Sequence, residues 1–168
     1  MVALVYRART EFEAWPDRAN MIHTVLYVSG GGLVMNAALI VAGCIGLLAA
    51  GIHGVAGELL VVRKLSLDRL AASPFGGARM TRAMIHVTWH ITTFAFLSCG
   101  VGLLVAGTAL EGDARRATGI LSAGAFTGFA AVALLLGLAN TGSPRGLIRH
   151  PGPIALAAVA VLGWVGAL

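Results

Sequence analysis

The fold class this sequence predicts is an all-α integral membrane protein, a four-helix antiparallel bundle, and three observations predict it. Of 168 residues, 58% are hydrophobic and only 11% charged, with a mean hydropathy of +0.87. A soluble domain carries about 25% charged residues, so most of this surface has to face something other than water. Four apolar windows follow one another, each long enough, or nearly so, to supply the roughly 20 helical residues that cross a bilayer core. The segments between them are short and rich in turn-forming residues, too small to be domains.

Residues 1–30 precede the first window. Glu11, Glu13 and Asp17 interrupt any apolar core there, and no small-residue cleavage pattern follows, so a secretion signal is not expected. Phe12 and Trp15 among alternating charges fit an interfacial segment lying on the bilayer; a flexible extension, or a start codon placed too early with Met21 the true beginning, fits equally. Residues 31–168 form the four-span membrane domain. Its first span, residues 32–62, is interrupted by Asn36, His53 and Glu58. The second, 83–110, and the third, 119–138, carry no formal charge apart from the histidines that open the second. The fourth, 153–168, is short and begins with Pro153, suited to the first turn of a helix because its missing N–H has no intrahelical partner there.

Four spans return the chain to the side it left. The connections between spans one and two and between three and four, with the adjoining span ends, hold Arg63, Lys64, Arg69, Arg79, Arg82, Arg145 and Arg149, against Arg7, Arg9, Arg18, Arg115 and Arg116 on the other side. Basic residues near the spans mark the cytoplasmic side. The expectation is therefore a multi-pass protein with both termini outside the cytoplasm. An Ala-, Gly- and Arg-rich composition suits a GC-rich bacterial genome and an inner (plasma) membrane. The +5 formal charge does not indicate nucleic acid, since the basic residues sit beside apolar runs and form no patch with interleaved aromatics. Cys44 and Cys99 lie inside apolar runs and read as small hydrophobes.

Helices in lipid associate through close packing of small side chains and a few polar contacts. Ala38, Ala42, Gly46, Ala50 and Gly54 recur every four residues along the first span and lead to Glu58. Gly124 and Gly128 form a similar pair in the third span, and Ser98, Gly102 and Ala106 a row in the second.

The polar cluster is the informative feature. With this topology His53 and Glu58 come late in the first span, His86 and His90 early in the second, and His150 just before the fourth, so four of five histidines share one membrane side. His86 and His90, four apart, project from one helix face, with Arg82 a further turn back and Trp89 beside them. His53 and Glu58, five apart, diverge by roughly 140° on a regular helix. They share a face only if the helix bends or holds a π-bulge, which Gly51, Gly54 and Gly57 would ease. An ionisable group inside a span is expensive and finds a partner. Imidazole with carboxylate suits a divalent transition metal such as Zn, Fe or Mn; two histidines on facing spans suit a b-type haem; an interfacial histidine suits quinone binding or proton handling. The plain alternative is a collar of His, Trp and Arg anchoring the bundle at the headgroups. Ring nitrogens within about 5 Å of a Glu58 oxygen would favour a shared site, because ligands of one zinc lie about 2 Å from it.

Other chemistry is missing. No strand precedes Gly30-Gly31-Gly32 or Gly76-Gly77 to make a phosphate loop, and no Ser/His/Asp arrangement or Cys pair at metal spacing occurs. Two functional readings remain. One is a membrane protein binding a transition metal, haem or quinone through His53, Glu58, His86, His90 and His150 at the cytoplasmic end of the bundle. The other is a small accessory or assembly subunit, without chemistry of its own, docking by its small-residue stripes on a larger membrane complex or on further copies of itself.

Overall fold

The computed structural model describes residues 35–141 and 151–168. The expected N-terminal segment, His23, Arg145, Arg149 and His150 lie outside the described residues. Helix α1 (Ala37–Gly51) runs through a π-helical turn (Ile52–Ala56) into α2 (Gly57–Leu60) and a 3-10 turn (Val62–Lys64), so that Ala37–Lys64 is one 28-residue apolar rod. A second 3-10 turn (Leu67–Arg69) leads to α3 (Gly77–Thr108), followed by α4 (Gly112–Thr141) and α5 (Gly152–Ala167). The described residues are all-α, with three helices long and apolar enough to cross a membrane and one shorter apolar helix. At 1.5 Å per residue, α3 is about 48 Å long, more than a hydrocarbon core of about 30 Å, while α5 reaches only about 24 Å.

The helices outrun the apolar windows. α3 begins at Gly77, not near residue 83, and α4 at Gly112, not near 119. Hydropathy marks what lipid accepts, whereas helix ends are set by backbone capping. Gly77 (φ 67°) and Gly112 (φ 52°) take left-handed conformations at these two starts, which an L side chain would strain. Between Gly112 and residue 119, polar residues such as Asp113 and Arg115 are sound helix residues that extend the helix beyond the apolar stretch. Arg115 Nε then donates to the Ala106 and Leu110 carbonyls, satisfying acceptors at the end of α3.

Around the bundle the packing order is α1, α3, α4, α5 and back to α1. Gly46 lies against Gly100, Gly119 against Ala167, and Gly163 against Ala123, so each pair runs antiparallel. One large side chain from each helix is fully buried at the centre: Leu39, Leu103, Phe126 and Val159. Leu48, Val55, Leu97, Leu121, Leu135 and Val161 point outward, the inversion expected where the solvent is lipid.

Glycine sets the spacing of α1 and α3. A Cβ on Gly43 would stand 2.8 Å from the Leu104 nitrogen, and one on Gly100 3.0 Å from the Leu47 nitrogen. On α1, Ala42, Gly46 and Ala50 are buried, Ala38 is half-buried, and Gly54 lies against Thr93. On α4 the close contacts run through Gly119 and Ala123; nothing lies within 4 Å of a Cβ built on Gly124 or Gly128.

One residue joins three helices at the end where α1 begins. Asn36 Oδ1 accepts from the Leu39 N–H, capping α1. Its Nδ2 donates to the Gly166 carbonyl of α5 (2.8 Å), and its backbone N–H to the Gly107 carbonyl of α3 (2.9 Å). On the far side Trp164 Nε1 donates to Thr127 Oγ1, tying α5 to α4.

Two outcomes follow. Asn36→Ala removes the cap and the α5 tie and should cost about 1 kcal/mol or more. Gly100→Leu should cost more, because backbone and not a flexible side chain stands in its way, whereas Gly124→Ala should be neutral or stabilising; thermal unfolding in detergent ranks the three. In membrane vesicles, single cysteines placed at Ala72 and Pro151 should react with an impermeant maleimide from one side, and a cysteine at Asp113 from the other.

Candidate metal centre

The π-helical turn decides which way the end of the first rod faces. A π turn winds more residues per turn than an α-helix, so residues five apart come round to the same side. His53 and Glu58 both address α3, at different depths. Two glycines permit it: a Cβ on Gly54 would stand 2.7 Å from Thr93 Cγ2, and one on Gly57 would run into the Trp89 indole. Gly51 has open space around it.

His53 is committed to packing. Its ring stacks on Trp89, with centroids 4.2 Å apart and planes 12° from parallel, and meets Phe96 edge-on at 5.2 Å. His53 Nδ1 lies 2.9 Å from Thr93 Oγ1. Trp89 Nε1 donates to the His53 carbonyl, inside the irregular turn (2.9 Å). Phe96 in turn touches Phe126 and Phe129, so the turn is tied through His53 to the aromatic core. Thr93, which the sequence did not single out, is the polar link here; its hydroxyl also bonds the Trp89 carbonyl one turn back, an ordinary habit of threonine in helices.

Glu58, toward the end of the rod, meets the histidine pair. Its Oε2 lies 3.2 Å from His86 Nε2 and 3.5 Å from His90 Nε2, well inside the 5 Å expected of a shared site. Glu58 Oε1 takes a 3.3 Å contact from Arg63 Nε. The carboxylate is mostly covered, 15% exposed, while the two imidazoles are about half exposed. Oε2 is buried and makes no hydrogen bond to either ring. A buried carboxylate oxygen without a hydrogen bond is costly.

One donor atom from each of Glu58, His86 and His90 falls within 4.8 Å of the others, the only such group of three or more among the described residues. Donors about 2 Å from a tetrahedral ion stand about 3.3 Å from each other; the two Glu58 distances match this, and the His86–His90 edge falls within 4.8 Å. Arg63, read in the sequence only as a topology signal, meets the other carboxylate oxygen, leaving Oε2 to face the rings. Of the expected site residues, the structure brings Glu58, His86 and His90 together; His53 lies deeper against Trp89 and Thr93, and His150 is outside the described residues. Arg82 sits one turn before His86, half-buried. Trp89 touches the turn, not the carboxylate.

Gly57→Leu should displace the indole and unseat the turn, lowering the unfolding temperature sharply. Trp89→Phe keeps an aromatic face for His53 but leaves its part-buried carbonyl without the indole donor, a loss of about 1 kcal/mol. The ranking is read by thermal unfolding in detergent.

No protein-family model matches the chain, and no curated protein or solved structure matches it either.

Proposed function

We propose that this multi-pass membrane protein holds one divalent transition-metal ion between the first and second spans, on Glu58 Oε2, His86 and His90. The observation that carries the reading is the buried Oε2, with two imidazole nitrogens 3.2 and 3.5 Å away and no hydrogen bond to either. Three donor groups converging on a common point rather than bonding in pairs is what a cation requires.

The collar alternative has each ring anchoring separately at the headgroups; here both ring nitrogens lie within 3.5 Å of one carboxylate oxygen on another helix. A b-type haem needs two imidazoles on opposite faces of the iron, but His86 and His90 are one turn apart on the same helix and His53 is stacked on Trp89. The small-residue stripe of the first span packs inside this bundle, so a docking role would have to rest on other surfaces.

Two imidazoles and one carboxylate suit Zn, Fe(II) or Mn. Three protein ligands leave coordination positions open, on the side where the half-exposed imidazoles lie, as in sites that act on a bound molecule and unlike closed structural sites. Arg63 on the other carboxylate oxygen is the kind of outer partner that orients a ligand. The excess of basic residues at this end, seven against five, supports its lying on the cytoplasmic side.

Tag-free protein purified in detergent and offered Zn, Mn or Fe(II) should retain about one ion per chain, the stoichiometry one three-ligand site allows. Glu58→Gln and the double variant His86→Ala/His90→Ala should fall to background, while Gly124→Ala, where nothing lies within 4 Å of the added Cβ, keeps the ion. Acidification should release the metal, because protons compete for the same nitrogens and oxygen. A chain with no stoichiometric ion, or with a Soret band, would overturn the reading.

A further inference from the structure

The open side of this centre continues into a shallow groove on the outer surface of α3, lined by His86, Val87, His90, Ile91 and Phe94. Its two imidazoles are the proposed ligands. The other three residues descend the helix from them, each more than half exposed. The charged turn after Thr108, with Glu111 and Asp113, marks the opposite membrane boundary. Counting back about 20 residues for the hydrocarbon core reaches Trp89, a residue type favoured at the interface. The histidine pair thus sits at headgroup level, and Ile91 and Phe94 lie within the acyl region.

Charge at this level is one-sided. Between residues 58 and 90 the chain carries Arg63, Lys64, Arg69, Arg79 and Arg82 against Glu58 and Asp68. Arg63, 66% exposed, meets Glu58 through Nε, and Arg82 stands on the same helical stripe as His86 and His90.

Resting on the metal reading, we propose that the ion's remaining face takes the phosphate of an anionic membrane phospholipid, with Arg63 and Arg82 flanking the headgroup and an acyl chain along Val87, Ile91 and Phe94. A metal with adjacent guanidinium groups is a strong receiver of phosphate oxygens. A soluble phosphate would satisfy the ion but leave the apolar track unused; a phospholipid satisfies both. The ligand, and any substrate, arrives sideways from the bilayer.

Native mass spectrometry of the full chain in detergent tests this, with zinc as the metal and dioleoylphosphatidylglycerol as the lipid. One lipid should remain per zinc-loaded chain, and phosphatidylcholine should be held more weakly. Arg63→Gln/Arg82→Gln should weaken retention about tenfold for the lost charge-assisted contacts. Ile91→Trp, which fills the groove and keeps it apolar, should weaken it without changing zinc content; Val87→Trp serves the same purpose if Ile91→Trp does not fold. Equal retention of the two lipids, equal retention by zinc-free protein, displacement by inorganic phosphate, or indifference to a filled groove would each overturn the proposal while leaving the metal centre standing. A chain that binds no zinc overturns both.

Discussion

Everything at the candidate centre depends on how closely the first and second spans approach. Lipid gives helices no hydrophobic reason to associate, so backbone proximity has to come from residues without bulk. Gly43, Gly46, Gly100 and Gly107 provide it: each faces backbone or a neighbouring side chain at a distance that leaves no room for a Cβ. The consequence is felt some distance away. A Glu58 side chain is short, and its carboxylate meets His86 and His90 only because the two helices are already pressed together along most of their length. Asn36 locks the same pair at the opposite end by bonding the Gly107 carbonyl, so the hairpin is held at one end by the bundle and presents its polar cluster at the other.

Approach alone does not aim a side chain. If α1 continued as a regular helix through Glu58, His53 and Glu58 would diverge by roughly 140°, and with His53 packed on α3 the carboxylate would turn away from the histidine pair. The π turn over Ile52–Ala56 corrects the phase. Such turns are unfavourable in isolation and persist where packing over-determines them. Here the constraint is Trp89, whose ring covers Gly57 and stacks on His53 while its N–H serves the His53 carbonyl. The apparent site residues thus divide by role: His53 and Trp89 hold the turn, and the turn delivers Glu58.

The membrane fold was legible because it is written in composition and length, which average over many residues. The histidine pair was legible for the same kind of reason, a spacing of four on a helix long enough to trust. The divergence of His53 and Glu58 was visible as a difficulty, and the glycines that resolve it could be named, but whether the turn forms depends on Trp89 and Thr93, which lie some forty residues away in sequence. Arg63 was hidden for another reason: a basic residue at a span end has a sufficient explanation in topology, and nothing local says that it also touches a carboxylate. Helix ends were misjudged in the polar direction, since Asp113 and Arg115 look like loop to a hydropathy reading and like a good first turn to the backbone. Gly124 and Gly128 show the converse, a small-residue spacing that falls where this bundle has open space.

The cost of Glu58 remains to be accounted for. A carboxylate at the edge of the hydrocarbon region is tolerated when something nearby carries its charge. Arg63 does so for Oε1, but at 66% exposure this is a surface ion pair of small worth, and it leaves Oε2 untouched. Neither imidazole hydrogen-bonds Oε2, although both ring nitrogens stand within 3.5 Å of it. Yet both rings stand closer to Oε2 than a purely steric collar requires. A small cation placed among the three donors takes a lone pair from each and needs none of them to bond another, which makes the missing hydrogen bonds and the proximity consequences of one arrangement. On that reading Glu58 is placed where it is because the chain is folded to receive a charge the sequence itself does not contain.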